Sequence, residues 1–291
     1  MYTKMNEKPD QTTTPSKDFW YGNLDLVYAY RQNQTQLIFN QNQAPLKVQR
    51  PFYPEGQEVC HSVILHTAGG VVGGDRLSYD FHLQPDAQAL ITTATAGKIY
   101  RSNGMIAKQV IEIKVEDGAC LEWLPQETIV FDGALYQQDL RVNLATKASY
   151  IGWEITRFGR SARGEKFLQG EWRSHTEIWQ QNKPLWIDRQ SLPASEEVFH
   201  SPHGLAGQPI VGSLVYIGQE TSPELVNKAR NLGKPTLSHS QIGVTRLEHG
   251  LLCRYRGSST AEVRNWFIGV WQLLRMSFLS RGSCVPRVWQ V

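Results

Sequence analysis

Residues His66 to Leu83 read HTAGGVVGGDRLSYDFHL. Two Gly-Gly pairs, Gly69-Gly70 and Gly73-Gly74, fall within six positions and are closed by Asp75 and Arg76. Glycine at this density marks backbone that must bend or come close to something, because glycine enters positive φ without a steric penalty. The residues that follow decide which fold holds it. Arg76 to Leu83 alternates, with Leu77, Tyr79, Phe81 and Leu83 on one face, the period of a half-buried strand. A nucleotide cradle requires a glycine loop that opens into a helix, so that terminal N–H groups face phosphate. Here Gly74 leads to Asp75 instead of lysine. Ala96-Gly97-Lys98 has the lysine but Ile99 where a hydroxyl belongs, and no G-x-G-x-x-G spacing occurs.

The same alternation continues outward. Pro85-Asp86 makes a turn, Ala89 to Thr93 is extended again, and Gln109 to Val115 sets Ile111, Ile113 and Val115 together. Asp117-Gly118 and Asp132-Gly133 each lie between extended runs, a pairing that signals a hairpin. Further strands are expected over 24–30, 35–39, 60–66, 150–157, 172–180, 185–192, 210–218, 240–247 and 251–256. Only two helices are expected. Ser222-Pro223-Glu224 opens one, which Gly233 ends. Ser259 opens the other, with Glu262 placed for a capping box and Gly282 for the C-cap. A doubly wound fold needs helices between its strands, and residues 24 to 218 offer almost none. The expected class is therefore mainly β, with stacked or helicoidal sheets, irregular and solenoid-like, and two α-helices near the C-terminus. Residues 1–17, polar throughout, are expected to be a disordered tail and not a signal peptide, leaving 18–291 as one domain.

The charge is nearly balanced, 30 basic against 27 acidic residues, and the nearest basic cluster, Arg157, Arg160, Arg163 and Lys166, is too sparse for nucleic acid. No run approaches the ~18 apolar residues of a membrane span. Cys60, Cys120, Cys253 and Cys284 form no C-x-x-C pair, which fits free buried thiols in a reducing compartment, the cytoplasm. His200 and His203 are the closest histidine pair, with Glu196 and Glu197 upstream. Pro202 argues against a helix there, so they are weak metal candidates, and no tightly bound metal or cofactor is expected. There is no G-x-S-x-G elbow, and Cys60 and His61, adjacent on a strand, point to opposite faces, so no catalytic residue is assigned. Carboxylates are more informative. In LEWLPQETIVFDG (121–133), Glu122 points away from Leu121 and Trp123, while Glu127 and Asp132 bracket an apolar run. They are either polar strand ends or acidic groups lining a shared surface or channel.

Four stretches, GGVVGGDRL, TTATAGKIYRS (92–102), LEWLPQETIVFDGA (121–134) and FGRSARGE (158–165), together with a terminal PRVW (286–289), resemble in order and spacing the UreD (UreH) family of urease accessory proteins. The resemblance covers about residues 18 to 291. It implies a non-catalytic cytoplasmic chaperone with a β-rich helicoidal fold. It also implies binding to urease apoprotein and to UreF, which recruits UreG, and delivery of nickel, in transit only, to the urease active site by way of an internal tunnel. On that reading Gly69, Gly70, Gly73 and Gly74 shape a tight crossing or the wall of a passage, with Asp75 and Arg76 pairing to fix it. Asp75, Glu122, Glu127 and Asp132 offer oxygen ligands weak enough to let an ion leave. Arg157, Arg160, Arg163 and Glu165 are candidates for a partner rim, and Arg287 and Trp289, with the exposed face of the last helix, for a UreF surface. The alternative is a stand-alone metallochaperone that grips nickel, for which the chain lacks a Cys/His cluster.

Overall fold

The computed structural model describes residues 19–233 and 240–289; the expected N-terminal tail lies outside the described residues. In chain order the strands are β1 (Tyr21–Arg31), β2 (Gln34–Gln43), β3 (Leu46–Val48), β4 (Val59–His66), β5 (Arg76–Leu83), β6 (Gln88–Thr93), β7 (Gly97–Ile99), β8 (Ala107–Val115), β9 (Cys120–Trp123), β10 (Thr128–Val130), β11 (Leu135–Leu144), β12 (Ser149–Phe158), β13 (Glu171–Gln180), β14 (Lys183–Pro193), β15 (Ile210–Ile217), β16 (Gln241–Leu247) and β17 (Gly250–Gly257). The helices are α1 (Glu196–His200), α2 (Pro223–Gly233) and α3 (Thr260–Leu274), the last continued by a π turn over Arg275–Leu279.

The chain winds between two sheets. The first has the order β2-β1-β5-β8-β11-β13-β14, and the second β3-β4-β6-β9-β12-β15-β17-β16. Successive coils pair β4 with β5, β6 with β8, β9 with β11 and β12 with β13, one strand to each sheet, so like strands stack in parallel. The fold is therefore a mainly β solenoid with helices towards its C-terminal end. Antiparallel strands are confined to its margins: β2 and β14 in the first sheet, and β3, β15, β17 and β16 in the second.

This arrangement corrects the two expected Asp-Gly hairpins. Asp117-Gly118 turns the chain from β8 in one sheet to β9 in the other, and Asp132-Gly133 leads from β10 to β11. The flanking strands already spend their backbone groups on parallel neighbours, so the positive φ of Gly118 and Gly133 serves a corner instead of a hairpin. The corners stack. Ala87, Ala119 and Ala148 each donate N–H to the residue three before them, at 3.1 Å, and all three methyl groups are buried. The tight hairpins lie at Gln32-Asn33 and Gln181-Asn182, both residues of each having positive φ.

One apolar core fills the space between the sheets, built from Leu77, Tyr79, Phe81 and Leu83 of β5 and their counterparts on other strands. A second lies between the outer face of the second sheet and α2 and α3. Strand β12 serves both: Tyr150 and Phe158 face the first core, while Ile151, Trp153 and Ile155 face the second. Helix α1 was not expected. Ser195 caps it, its Oγ accepting from Val198 N at 3.1 Å, and it ends before Pro202. The Ser259 cap forms, accepting from Glu262 N at 3.2 Å, but the reciprocal half of the box does not. The Glu262 carboxylate accepts instead from Ser240 Oγ at 3.0 Å and Tyr255 OH at 3.1 Å. Ser280, with φ +52°, ends the π turn in place of Gly282. No described helix is long and apolar enough to cross a membrane.

Candidate functional site

A cavity of 390 Å³ lies between the sheets. Gly69, Thr95, Gly97 and Lys98 line its exposed mouth, and Tyr79, Ile111 and Trp123 its deep wall. The crossings β4 to β5 and β6 to β8 hold the mouth open. Val71 N donates to the Lys98 carbonyl, and Tyr100 N to the Val71 carbonyl, both at 2.8 Å. Gly70 is required at this crossing, since a Cβ there would collide with the Tyr100 ring and the Lys98 carbonyl.

A polar rung crosses the core beside the cavity. Gln109, Gln138, Ser174 and Gln190 are in register on β8, β11, β13 and β14, and Glu154, Ser213 and Arg254 are in register on β12, β15 and β17. Glu154 joins the two sheets, accepting from Ser174 Oγ at 2.9 Å and from Gln138 Nε2. Burial pushes its carboxyl up to about 7; Asp188 adds to the rise, while Ser174, Arg254 and Gln138 oppose it. Glu154 also lines a smaller cavity with Asp188 and Ser213. Beyond that, Asp188 is paired with Arg254 at 2.8 Å near the open margin. At the mouth, His66 Nδ1 donates to the Ala68 carbonyl at 3.0 Å, leaving Nε2 as a buried acceptor with no hydrogen-bond partner among the described residues. Sequence reasoning missed these groups. The signal for Glu154 was the one carboxylate inside SYIGWEITRF, flanked on both sides by the apolar Tyr150–Trp153 and Ile155.

The four carboxylates singled out from the sequence do not meet. Asp75 is 1% exposed, and its two oxygens accept from Trp20 N and Val72 N, each at 2.9 Å. The expected pairing with Arg76 is replaced by a bond from the guanidinium to the Asp75 backbone carbonyl at 3.2 Å, because the carboxylate is already occupied. Glu122 lies on the outer side of the second sheet, accepting from Trp271 Nε1 and from Arg275, which also reaches Glu55 at 2.8 Å. Desolvation pushes the Glu55 carboxyl up, but His61 and Arg275 outweigh it and hold it at about 2. Glu127 is paired with Arg264 of α3. Asp132 accepts from Leu168 N at 2.7 Å, Gln169 N at 2.8 Å and Arg101 at 3.1 Å.

The arginine loop joins this last carboxylate. Glu165 accepts from Asp132 N at 3.2 Å and from Arg160 Nε at 2.8 Å, and the Arg160 guanidinium lies 4.6 Å from the Phe131 ring centre. Arg157 bonds Ser161 Oγ at 2.7 Å, and Arg163 is exposed. His200 pairs with Glu196 at 3.1 Å along α1, while the His203 side chain borders a separate groove. No group of three or more His, Cys, Asp or Glu among the described residues is placed to hold a metal ion. Trp289 is half-buried. Its ring lies 5.2 Å from that of Trp153, its Nε1 donates to Thr92 Oγ1 at 2.9 Å, and Arg287 stays exposed. The four cysteines are free; burial pushes Cys60 up to about 11 and Cys120 up to about 12, leaving poor thiolates.

Two stacked sheets around a partly polar interior cavity define a β solenoid. The model of the UreD urease accessory protein family matches residues 21–290. Urease accessory protein UreD of a Nostoc species is 74% identical over 271 residues, 93% of this chain and 96% of that relative. The proteins of the same name from Acaryochloris marina and a Synechocystis species are 58% and 44% identical, over 93% and 90% of this chain and 95% and 97% of theirs. The chain belongs to the UreD urease accessory protein family.

Proposed function

We propose that the protein is a non-catalytic scaffold for urease maturation. It binds urease apoprotein and UreF, through UreF it engages UreG, and it lets nickel pass by way of the inter-sheet cavity to the urease active site. The observation that carries this reading is the cavity itself, bordered by separated oxygen donors and by His66, whose Nε2 has no hydrogen-bond partner among the described residues. Donors spaced in this way hold a divalent cation briefly, whereas a closed set of thiolates or imidazoles would retain it. That contrast favours transit over a stand-alone metallochaperone. Asp75, Glu122, Glu127 and Asp132, each already engaged away from the cavity lining, hold the surrounding fold; Glu154 and His66, which line the cavity, are the groups that meet the ion. Free thiols fit a cytoplasmic setting.

Ala96, half-buried in the cavity wall, offers a direct test. Ala96→Trp should leave the complex with UreF and urease intact while lowering the nickel content of the urease produced, read by metal analysis and urease activity. Normal nickel loading by a folded variant would refute passage through the cavity. Nickel retained stoichiometrically by the isolated wild-type chain through chelation would favour the metallochaperone.

A further inference from the structure

Each sheet ends in two edge strands, β2 and β14 in the first and β3 and β16 in the second. An edge strand offers unpaired N–H and C=O groups to any other strand, so folded proteins protect it with charge, proline, brevity or a covering segment. Three of these edges are protected in that way. Strand β14 carries Lys183, Pro184, Asp188, Arg189 and Pro193, and β3 has only three residues. Helix α2 packs against β16, and its Arg230 donates to the Val244 carbonyl from Nε at 3.2 Å and from Nη2 at 2.7 Å.

Strand β2 is protected at one end only. Thr35 N donates to the Gln57 carbonyl at 3.0 Å and Thr35 Oγ1 to the Glu58 carbonyl at 2.6 Å, so the loop before β4 covers the first residues of the edge. Phe39, Asn40, Gln41, Asn42 and Gln43 are all exposed. Outside the ladder with β1, none of their backbone groups is hydrogen-bonded among the described residues. From Gln32 to Leu46 the sequence carries no charge. The open run consists of four amide side chains and Phe39, which is 46% exposed.

We infer that this edge pairs with the same edge of a second copy of the chain, antiparallel about a twofold axis at Gln41, the register that engages all five exposed residues. The run is complementary to itself. Each amide is both donor and acceptor, so Asn40 meets Asn42 of the second copy, and Gln41 meets its own counterpart, with no charge set against its like. A charged edge would oppose itself across such an axis. Asp25 of each β1 lies opposite Gln41 of its own chain, which leaves the two Asp25 residues three strand spacings apart, about 14 Å, beyond the screening length at physiological salt. Five paired residues and the Phe39 ring bury less than a standard interface, so the dimer belongs to the weak, concentration-dependent class. Such a dimer neither needs nor alters the proposed passage.

Sedimentation of the full chain across micromolar concentrations tests this, with unfolding curves to establish that each variant folds. Wild type should show a reversible monomer–dimer equilibrium. Gln41→Lys and Gln41→Glu each set two like charges face to face across the axis and should each weaken the dimer by about tenfold or more. Mixed in equal amounts, the two variants should form a heterodimer at least as tight as the wild-type dimer. Met276, 60% exposed on the π turn, supplies the charge control: Met276→Glu should dimerise as wild type does. A wild-type chain that stays monomeric would overturn the inference, as would folded Gln41 variants that dimerise with wild-type affinity. Weakening by both variants without rescue in their mixture would also overturn it, because the contact would then not be symmetric about Gln41. A monomeric wild type whose Gln41 variants lose binding to urease or UreF would give the edge to that protein instead. One that dimerises only when residues 2–17 are removed would give it to the chain's own N-terminal segment.

Discussion

Replacing Glu154 by glutamine removes a buried charge and keeps the shape. The carboxyl ionises at about 7 in the folded protein against an ordinary 4.5, chiefly because burial disfavours the charge. Between those values the native state holds more protons than the unfolded chain, so stability falls as pH rises through the window and stays reduced above it. A rise of this size corresponds to roughly 3 kcal/mol at pH 8. Glutamine carries no such penalty. Its amide still satisfies the network, since the Ser174 hydroxyl can rotate to donate or accept, and the Gln138 amide can turn. Glu154→Gln should therefore raise Tm at pH 8 by about 6 °C, and the gain should shrink towards nothing near pH 5. Thermal unfolding of both proteins at the two pH values measures this. An equal gain at both, or no gain at pH 8, would refute the assignment of a buried, proton-holding carboxyl. The same variant should load urease with less nickel, because a neutral amide gives an arriving cation no charge to meet.

Arg275→Met strands Glu122 and Glu55 without their shared cation and should cost about 3–5 kcal/mol in denaturant unfolding, with Glu122→Gln added to it recovering part of the loss. Asp75→Asn places an amide N–H against the N–H of Trp20 or Val72 and should cost about 1–3 kcal/mol, measured the same way. Gly70→Ala should destabilise by about 1–3 kcal/mol, because its methyl meets Tyr100 and the Lys98 carbonyl, whereas Gly69→Ala, with only the Tyr100 hydroxyl 3.9 Å away, should leave the melting curve unchanged.

The strands were legible because each coil buries one face against the opposite sheet, and RLSYDFHL carries that alternation openly. Which strands pair was not legible from turn chemistry. Asp117-Gly118 supplies a positive φ, and a sheet-to-sheet corner needs that as much as a hairpin does. A better sign lay in QPDA (84–87), EDGA (116–119) and ATKA (145–148), where a small residue closes each stacked corner. Helix α1 escaped because its five residues are too few to show a period, and the His200–Glu196 pair depends on that helix. Acidic residues bracketing an apolar run left polar strand ends and a shared surface both open, and Glu122, Glu127 and Asp132 each neutralise a different arginine, two of them as far along the chain as Arg264 and Arg275. Such contacts between distant residues leave no local pattern.

Parallel stacking also explains why a polar rung can exist inside this core. In register, a polar side chain on one coil sits directly above that of the next, so Gln109, Gln138 and Ser174 can supply one another and Glu154 with partners. An isolated carboxylate at the same depth would cost several kcal/mol. Apolar residues in these positions would pack the space between the sheets and close the cavity, with a gain in stability. The rung is therefore best understood as the feature that keeps the interior open and hydrophilic. Its continuation through Asp188 and Arg254, on strands near the sheet margins, extends the polar network beyond the cavity.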